Sequence, residues 1–126
     1  MTPAVHDEVV AMYAHCKESL TGLHGNELME ELGKTLAWMA RTGEVLSEAI
    51  EELATARGKA ANRVDPAMTA TQAKSIVEGA IASELGWVKL VERLNAMLVH
   101  RADGLRSMLS YTKAQRNQYG QGDPTP

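Results

Sequence analysis

Residues 26–63, NELMEELGKTLAWMARTGEVLSEAIEELATARGKAANR, decide the fold class. Leu28, Leu32, Met39, Leu46 and Leu53, with Thr35, Thr42, Ala49 and Ala56 between them, recur at 4-3-4-3 spacing for four heptads. That is the repeat of a helix packed along another helix. Leu36, Gly43 and Ile50 add a flanking row seven residues apart. A stripe two rows wide suits a multi-helix bundle better than an isolated two-stranded coil. Its many Ala, Thr and Gly residues allow close helix approach. Asn26 reads as the N-cap, and Glu27, Glu30 and Glu31 fall near the positive end of the helix dipole.

The sequence Arg63-Val64-Asp65-Pro66 closes this helix, because proline disfavours helix at the residue before it. Thr69 or Thr71 then caps a third helix reaching to about Asn117. Its stripe is Val77, Ile81, Val88, Val91, Leu94, Leu98, Ala102, Leu105 and Leu109, backed by Trp87, Leu90, Met97 and Met108. Gly79, Gly86 and Gly104 interrupt it, each at a cost of about 1 kcal/mol relative to Ala. A bend or tight packing is expected at one of them. Towards the N-terminus, Thr2-Pro3 reads as a cap with proline in the first turn, followed by Val5, Val9, Met12, Cys16 and Leu20 at helical spacing. Gly22 and Gly25 around His24 read as a turn.

The expected architecture is all-α. A long antiparallel, coiled-coil-like hairpin and a shorter N-terminal helix form one domain over residues 1–117, with a disordered tail over 118–126. A hairpin with such wide apolar stripes cannot cover them alone, so a homo-oligomer is expected to complete the bundle, with Leu94, Leu98, Leu105 and Leu109 at the subunit interface.

Composition agrees with one soluble domain: 126 residues, 44% hydrophobic and 23% charged. No apolar run approaches the roughly 20 residues needed to cross a bilayer. The opening stretch lacks the layout of a secretory signal, which points to the cytoplasm. A lone cysteine, Cys16, reads as a small core residue. The net charge is −3, unevenly spread: residues 1–54 hold three basic and ten acidic side chains, residues 55–126 ten basic and six acidic. Two readings stand side by side, an acidic helix laid along a basic one, or a basic surface for a polyanion.

No catalytic or metal constellation stands out. His6, His15, His24 and His100 include no pair at the three- or four-residue spacing that converges on one helix, so no metal or other cofactor is expected. There is no Glu-x-x-His, no Cys-x-x-Cys, no Gly-x-Ser-x-Gly and no phosphate-cradling glycine loop. The cations Lys89, Arg93, Arg101, Arg106, Lys113 and Arg116, interleaved with Tyr111 and Tyr119, are the candidates for contacting single-stranded nucleic acid, through phosphate neutralisation and base stacking. They scatter around the helix instead of forming one stripe.

Two resemblances bear on function. Glu30-Glu31-Leu32-Gly33-Lys34-Thr35-Leu36-Ala37-Trp38 resembles the carboxylate-bearing helix of the all-α nucleotide pyrophosphohydrolases of the MazG type. The resemblance implies two carboxylates separated by two residues on magnesium. Here the second falls on Lys34, a positive charge where the cation would sit. The second concerns the order of an Ala-rich helix, a short break and a long closing helix running from Val91-Glu92-Arg93-Leu94-Asn95 to Asp103-Gly104-Leu105-Arg106-Ser107-Met108-Leu109-Ser110-Tyr111. This layout is similar to the recombination mediators of T4-like phages, the UvsY family. It implies a non-enzymatic, ring-forming accessory protein that binds single-stranded DNA and helps to load a recombinase; the net negative charge departs from that pattern. The alternatives are a protein-interaction or assembly module without nucleic-acid binding, such as a phage structural or anti-defence protein, and, more remotely, a degenerate pyrophosphohydrolase.

Overall fold

The computed structural model describes residues 1–121, which form three helices, α1 (Pro3–Cys16), α2 (Gly25–Ala61) and α3 (Ala70–Gln121). The protein is all-α, and among the described residues no helix is long and apolar enough to cross a membrane.

Each boundary has a local cause. Thr2 caps α1, its Oγ1 accepting the Val5 N–H at 3.3 Å, with Pro3 in the first turn. The helix stops at Cys16, short of the Leu20 to which the apolar spacing runs. Ser19 Oγ takes the Thr21 N–H at 3.1 Å, and Gly22 turns the chain at φ +81°, a conformation that strains any residue with a Cβ. α2 starts at Gly25, ahead of the expected Asn26 cap. Its cap position is His24, which makes no side-chain hydrogen bond, so the first-turn N–H groups have no side-chain acceptor. In the α2–α3 connection, Asp65 Oδ1 accepts the Ala67 N–H at 2.9 Å. Thr69 and Gln72 then form a capping box, each side chain accepting the other's backbone N–H, at 3.2 and 3.1 Å.

α3 runs past Asn117 to Gln121; the rest of the expected tail, residues 122–126, lies outside the described residues. A Cβ placed at Gly79, Gly86 or Gly104 would meet nothing within 4 Å, so the expected tight packing is not made at any of them within the chain.

α2 and α3 pack along their length. Glu31 meets Arg101, Thr42 meets Asn95, and Ala49 and Leu53 meet Ile81 and Val88, so early α2 lies beside late α3 and the two run antiparallel. The seam buries Leu28, Thr35, Thr42, Ala49, Leu53 and Ala60 from α2 and Ile81, Val88, Val91, Leu98, Ala102 and Leu105 from α3. Full burial stabilises each leucine by about 1.5–3 kcal/mol. The two threonines within it are satisfied. Thr42 Oγ1 donates to the Met39 carbonyl at 2.8 Å and accepts from Asn95 Nδ2 at 2.7 Å, and Thr35 Oγ1 sits 3.1 Å from His15 Nε2.

α1 lies on one flank of this pair. Val9 and Met12 join Val45, Val91 and Leu94 in a core cluster bordered by Trp38, Trp87, Leu90 and Met97. Arg41 clamps α1 to α2 by two bonds to the Glu8 carboxylate, at 2.6 and 2.8 Å. The reciprocal pairing holds the Glu8 carboxyl below its ordinary range and raises the Arg41 guanidinium further.

Candidate functional site

Three features of the surface and core carry chemistry or contact potential. The first is a polar node where all three helices meet. His15 in the last turn of α1 is buried, with Nε2 3.1 Å from Thr35 Oγ1 and Nδ1 3.7 Å from Glu18. Arg101, whose side chain is only 6% exposed, donates to the Glu18 carbonyl at 2.8 Å and to Glu31 Oε2 at 3.2 Å. Its Nε is buried without a partner. Burial, and next the Arg101 charge, push the His15 pKa down, against the opposing pull of Glu31 and Glu18. Half-buried Cys16 stands beside this node, and burial raises its thiol pKa, which keeps thiolate scarce at neutral pH.

His15, Glu18 and Glu31 each offer a metal-ligand atom within 4.8 Å of the others. Glu31 is already neutralised by Arg101 and by the Lys34 ammonium at 3.7 Å, so fixed cations hold the charge a metal ion would bring. Same-helix spacing could not find this trio, because its members come from two helices and the turn between them.

The second feature is the distribution of the candidate cations. Arg101 is turned inward and leaves the set of exposed groups. Lys89, Arg93, Arg106, Lys113 and Arg116 are exposed, Arg106 being paired with Asp103 at 3.3 Å. Arg93 borders an apolar groove between α1 and α3 lined by Val10, Tyr13 and Leu90. Lys113 and Arg116 instead line a cleft with Gly25, Asn26 and Met29, against the uncapped start of α2. The five exposed cations therefore form separate groups.

The leucines expected at a subunit interface are likewise redistributed. Leu94, Leu98 and Leu105 are fully covered inside the chain, and Leu109 is half-buried. Packing of α3 against α2 and α1 accounts for the very residues whose apolar stripe suggested an external partner.

The third feature is the flank of the α2–α3 pair away from α1. The flanking row Leu36, Gly43 and Ile50 is exposed, with Leu36 at 38% and Ile50 at 49%; Met29, seven residues before Leu36, is 60% exposed. The row covered by α1 is the opposite one, holding Trp38 and Val45. Interleaved with the exposed row are Gly33, Ala40, Ser47 and Ala54, all exposed as well. Beside them on α3 lies Val99, at 38% exposure.

Of the other acidic side chains of α2, Glu30 faces solvent and Glu44 pairs with Arg41 at 2.8 Å, whereas Glu48, Glu51 and Glu52 line a cleft with Glu84 and Trp87, and Glu84 Oε2 is buried there without a partner. No protein-family model, curated protein or solved structure matches the chain.

Proposed function

We propose that this chain is a non-enzymatic assembly module that self-associates through the flank of the α2–α3 pair lying opposite α1. The observation that carries the reading is the exposed row Met29, Leu36, Gly43 and Ile50, whose apolar side chains stand free although they keep the heptad spacing of a packed seam. α1 covers one flank, and an equivalent helix on the other would complete a bundle. Equilibrium sedimentation of the pure protein tests this. A mass above the 13.7 kDa of one chain, rising with concentration, is expected. A single 13.7 kDa species up to several hundred micromolar overturns it.

A second reading, contact with single-stranded DNA, is favoured by the cleft at the start of α2. There Lys113 and Arg116 stand beside first-turn N–H groups that no side chain caps, with Tyr111 exposed nearby on α3. Two to three phosphate contacts give a shallow salt dependence, a slope of about −2 in a log–log plot. Fluorescence anisotropy with a labelled oligonucleotide at low salt reads it, and no binding at 20 mM salt removes it.

A further inference from the structure

We propose that the occupant of the exposed α2 stripe is a second copy of the chain, with α2 packed antiparallel on α2 about a twofold axis level with Ala40–Gly43. This rests on the self-association reading and adds the orientation and register of the partner. Met29, Gly33, Leu36, Ala40, Gly43, Ser47, Ile50 and Ala54 follow one another at 4-3-4-3 spacing, and all are exposed and uncharged. The 25 residue steps from Met29 to Ala54, at 1.5 Å rise each, make a charge-free strip about 37 Å long, on a helix face that ordinarily carries charge when it faces water. α2 thus bears two heptad seams, one filled by α3 and one open.

The order of sizes along the open seam selects the register. Antiparallel pairing about the midpoint sets Met29 against Ala54 of the second copy, Gly33 against Ile50, Leu36 against Ser47, and Ala40 against Gly43, so every large side chain meets a small residue. Parallel pairing in register sets Leu36 on Leu36 and Gly43 on Gly43, crowding one level and leaving a void at the next. A Cβ at Gly33 or Gly43 would meet nothing within 4 Å in the single chain, so the fold of one copy leaves both positions open.

Two opposite-charge pairs on α3 fall level about the same axis. The Thr42–Asn95 bond puts the middle of the α2 stripe beside residues 95–96. The twofold then brings Glu78 level with Lys113 of the second copy, and Lys89 level with Asp103. Glu30, Glu44 and Glu51 share the outer edge of the stripe, and the two copies of Glu44 lie nearest the axis, each paired with Arg41 of its own chain at 2.8 Å; all three are exposed, so solvent and salt screen their repulsion. The α2 strip together with the adjoining face of α3, about 37 Å long and two helices (~20 Å) wide, covers roughly 750 Å² per copy, close to the ~800 Å² per partner of a stable interface. Because the contact is isologous it closes at two chains.

Cross-linking in a Cys16→Ser background tests the register. With a short bismaleimide, Gly43→Cys should link two chains, since its two copies lie about 4.5 Å apart along the helix axis, whereas Ala54→Cys alone should not, its copies being about 37 Å apart. A mixture of Ala54→Cys and Met29→Cys should link. Self-linking of Ala54→Cys as strong as that of Gly43→Cys overturns the antiparallel register. So does a sedimenting dimer in which neither Gly43→Cys nor the mixture links, an outcome that leaves self-association standing; a strictly monomeric protein removes both. The open space around Gly43 lets one copy fold with Gly43→Glu, which should weaken dimerisation at least tenfold at unchanged helicity. Unaltered association of that variant also overturns the proposal.

Discussion

Replacing Arg101 by methionine probes the node that ties α1, α2 and α3 together. Methionine keeps an apolar stem of similar reach and removes the guanidinium, which is 6% exposed and bonded to the Glu18 carbonyl at 2.8 Å and to Glu31 at 3.2 Å. Glu31, itself 15% exposed, is then left in the interior with Lys34, 3.7 Å from its other oxygen, as the remaining cation. Breaking a buried pair by deleting one partner costs about 3–5 kcal/mol, and Lys34 recovers part of that, so the expected loss is about 3 kcal/mol. For a chain of this size that lowers Tm by roughly 10 °C. Urea unfolding at pH 7.5, followed by helical circular dichroism on Arg101→Met, Glu31→Gln and the double variant, measures the loss and the coupling, expected to exceed about 1 kcal/mol. A loss below about 1 kcal/mol with no coupling would mean the pair behaves as a solvated surface contact, refuting the reasoning.

The same node sets a pH dependence. Folding lowers the His15 pKa, so between its folded value and 6.5 the unfolded chain binds more protons; the stability it contributes is complete above about 6.5 and is lost as pH falls. His15→Gln should therefore flatten the stability profile between pH 5 and 7.5, and an unchanged slope would show that another group controls it. Asn95→Leu removes a seam polar group while Thr42 keeps its bond to the Met39 carbonyl, so a stability change between zero and a gain of about 1 kcal/mol is expected from chemical denaturation. A loss above 2 kcal/mol would mean that the Asn95–Thr42 bond is a net stabiliser of the seam. Lys113→Glu with Arg116→Glu should abolish any oligonucleotide binding at unchanged helicity; retained binding would move that contact elsewhere on the chain.

The seam of α2 was legible because one helix face repeats every seven residues, and Leu28, Thr35, Thr42, Ala49 and Leu53 are buried along it. Which flank a third helix covers was not legible. Both flanks carry apolar residues at heptad spacing, Trp38 and Val45 on one and Leu36 and Ile50 on the other. The choice falls to partners distant in sequence, Glu8 with Arg41 and His15 with Thr35. The inward turn of Arg101 did leave a signal, since it stands seven residues after Leu94 and seven before Met108, on a row that is otherwise apolar. Counting it among the surface cations overlooked that row, because its counter-charge, Glu31, lies 70 residues away. The start of α2 was misplaced for a related reason: Asn26 has the chemistry of a cap, but the turn at Gly22 delivers the chain in helical geometry already at Gly25.

Light scattering on the Leu36→Glu, Ile50→Glu double variant beside the wild-type chain addresses the open flank most directly. Both positions are exposed in one chain, so the variant should remain fully helical and fall to the 13.7 kDa mass of a single copy, while the wild type scatters as twice that mass. Equal masses for the two proteins would contradict the assignment of this flank as the surface through which the protein assembles.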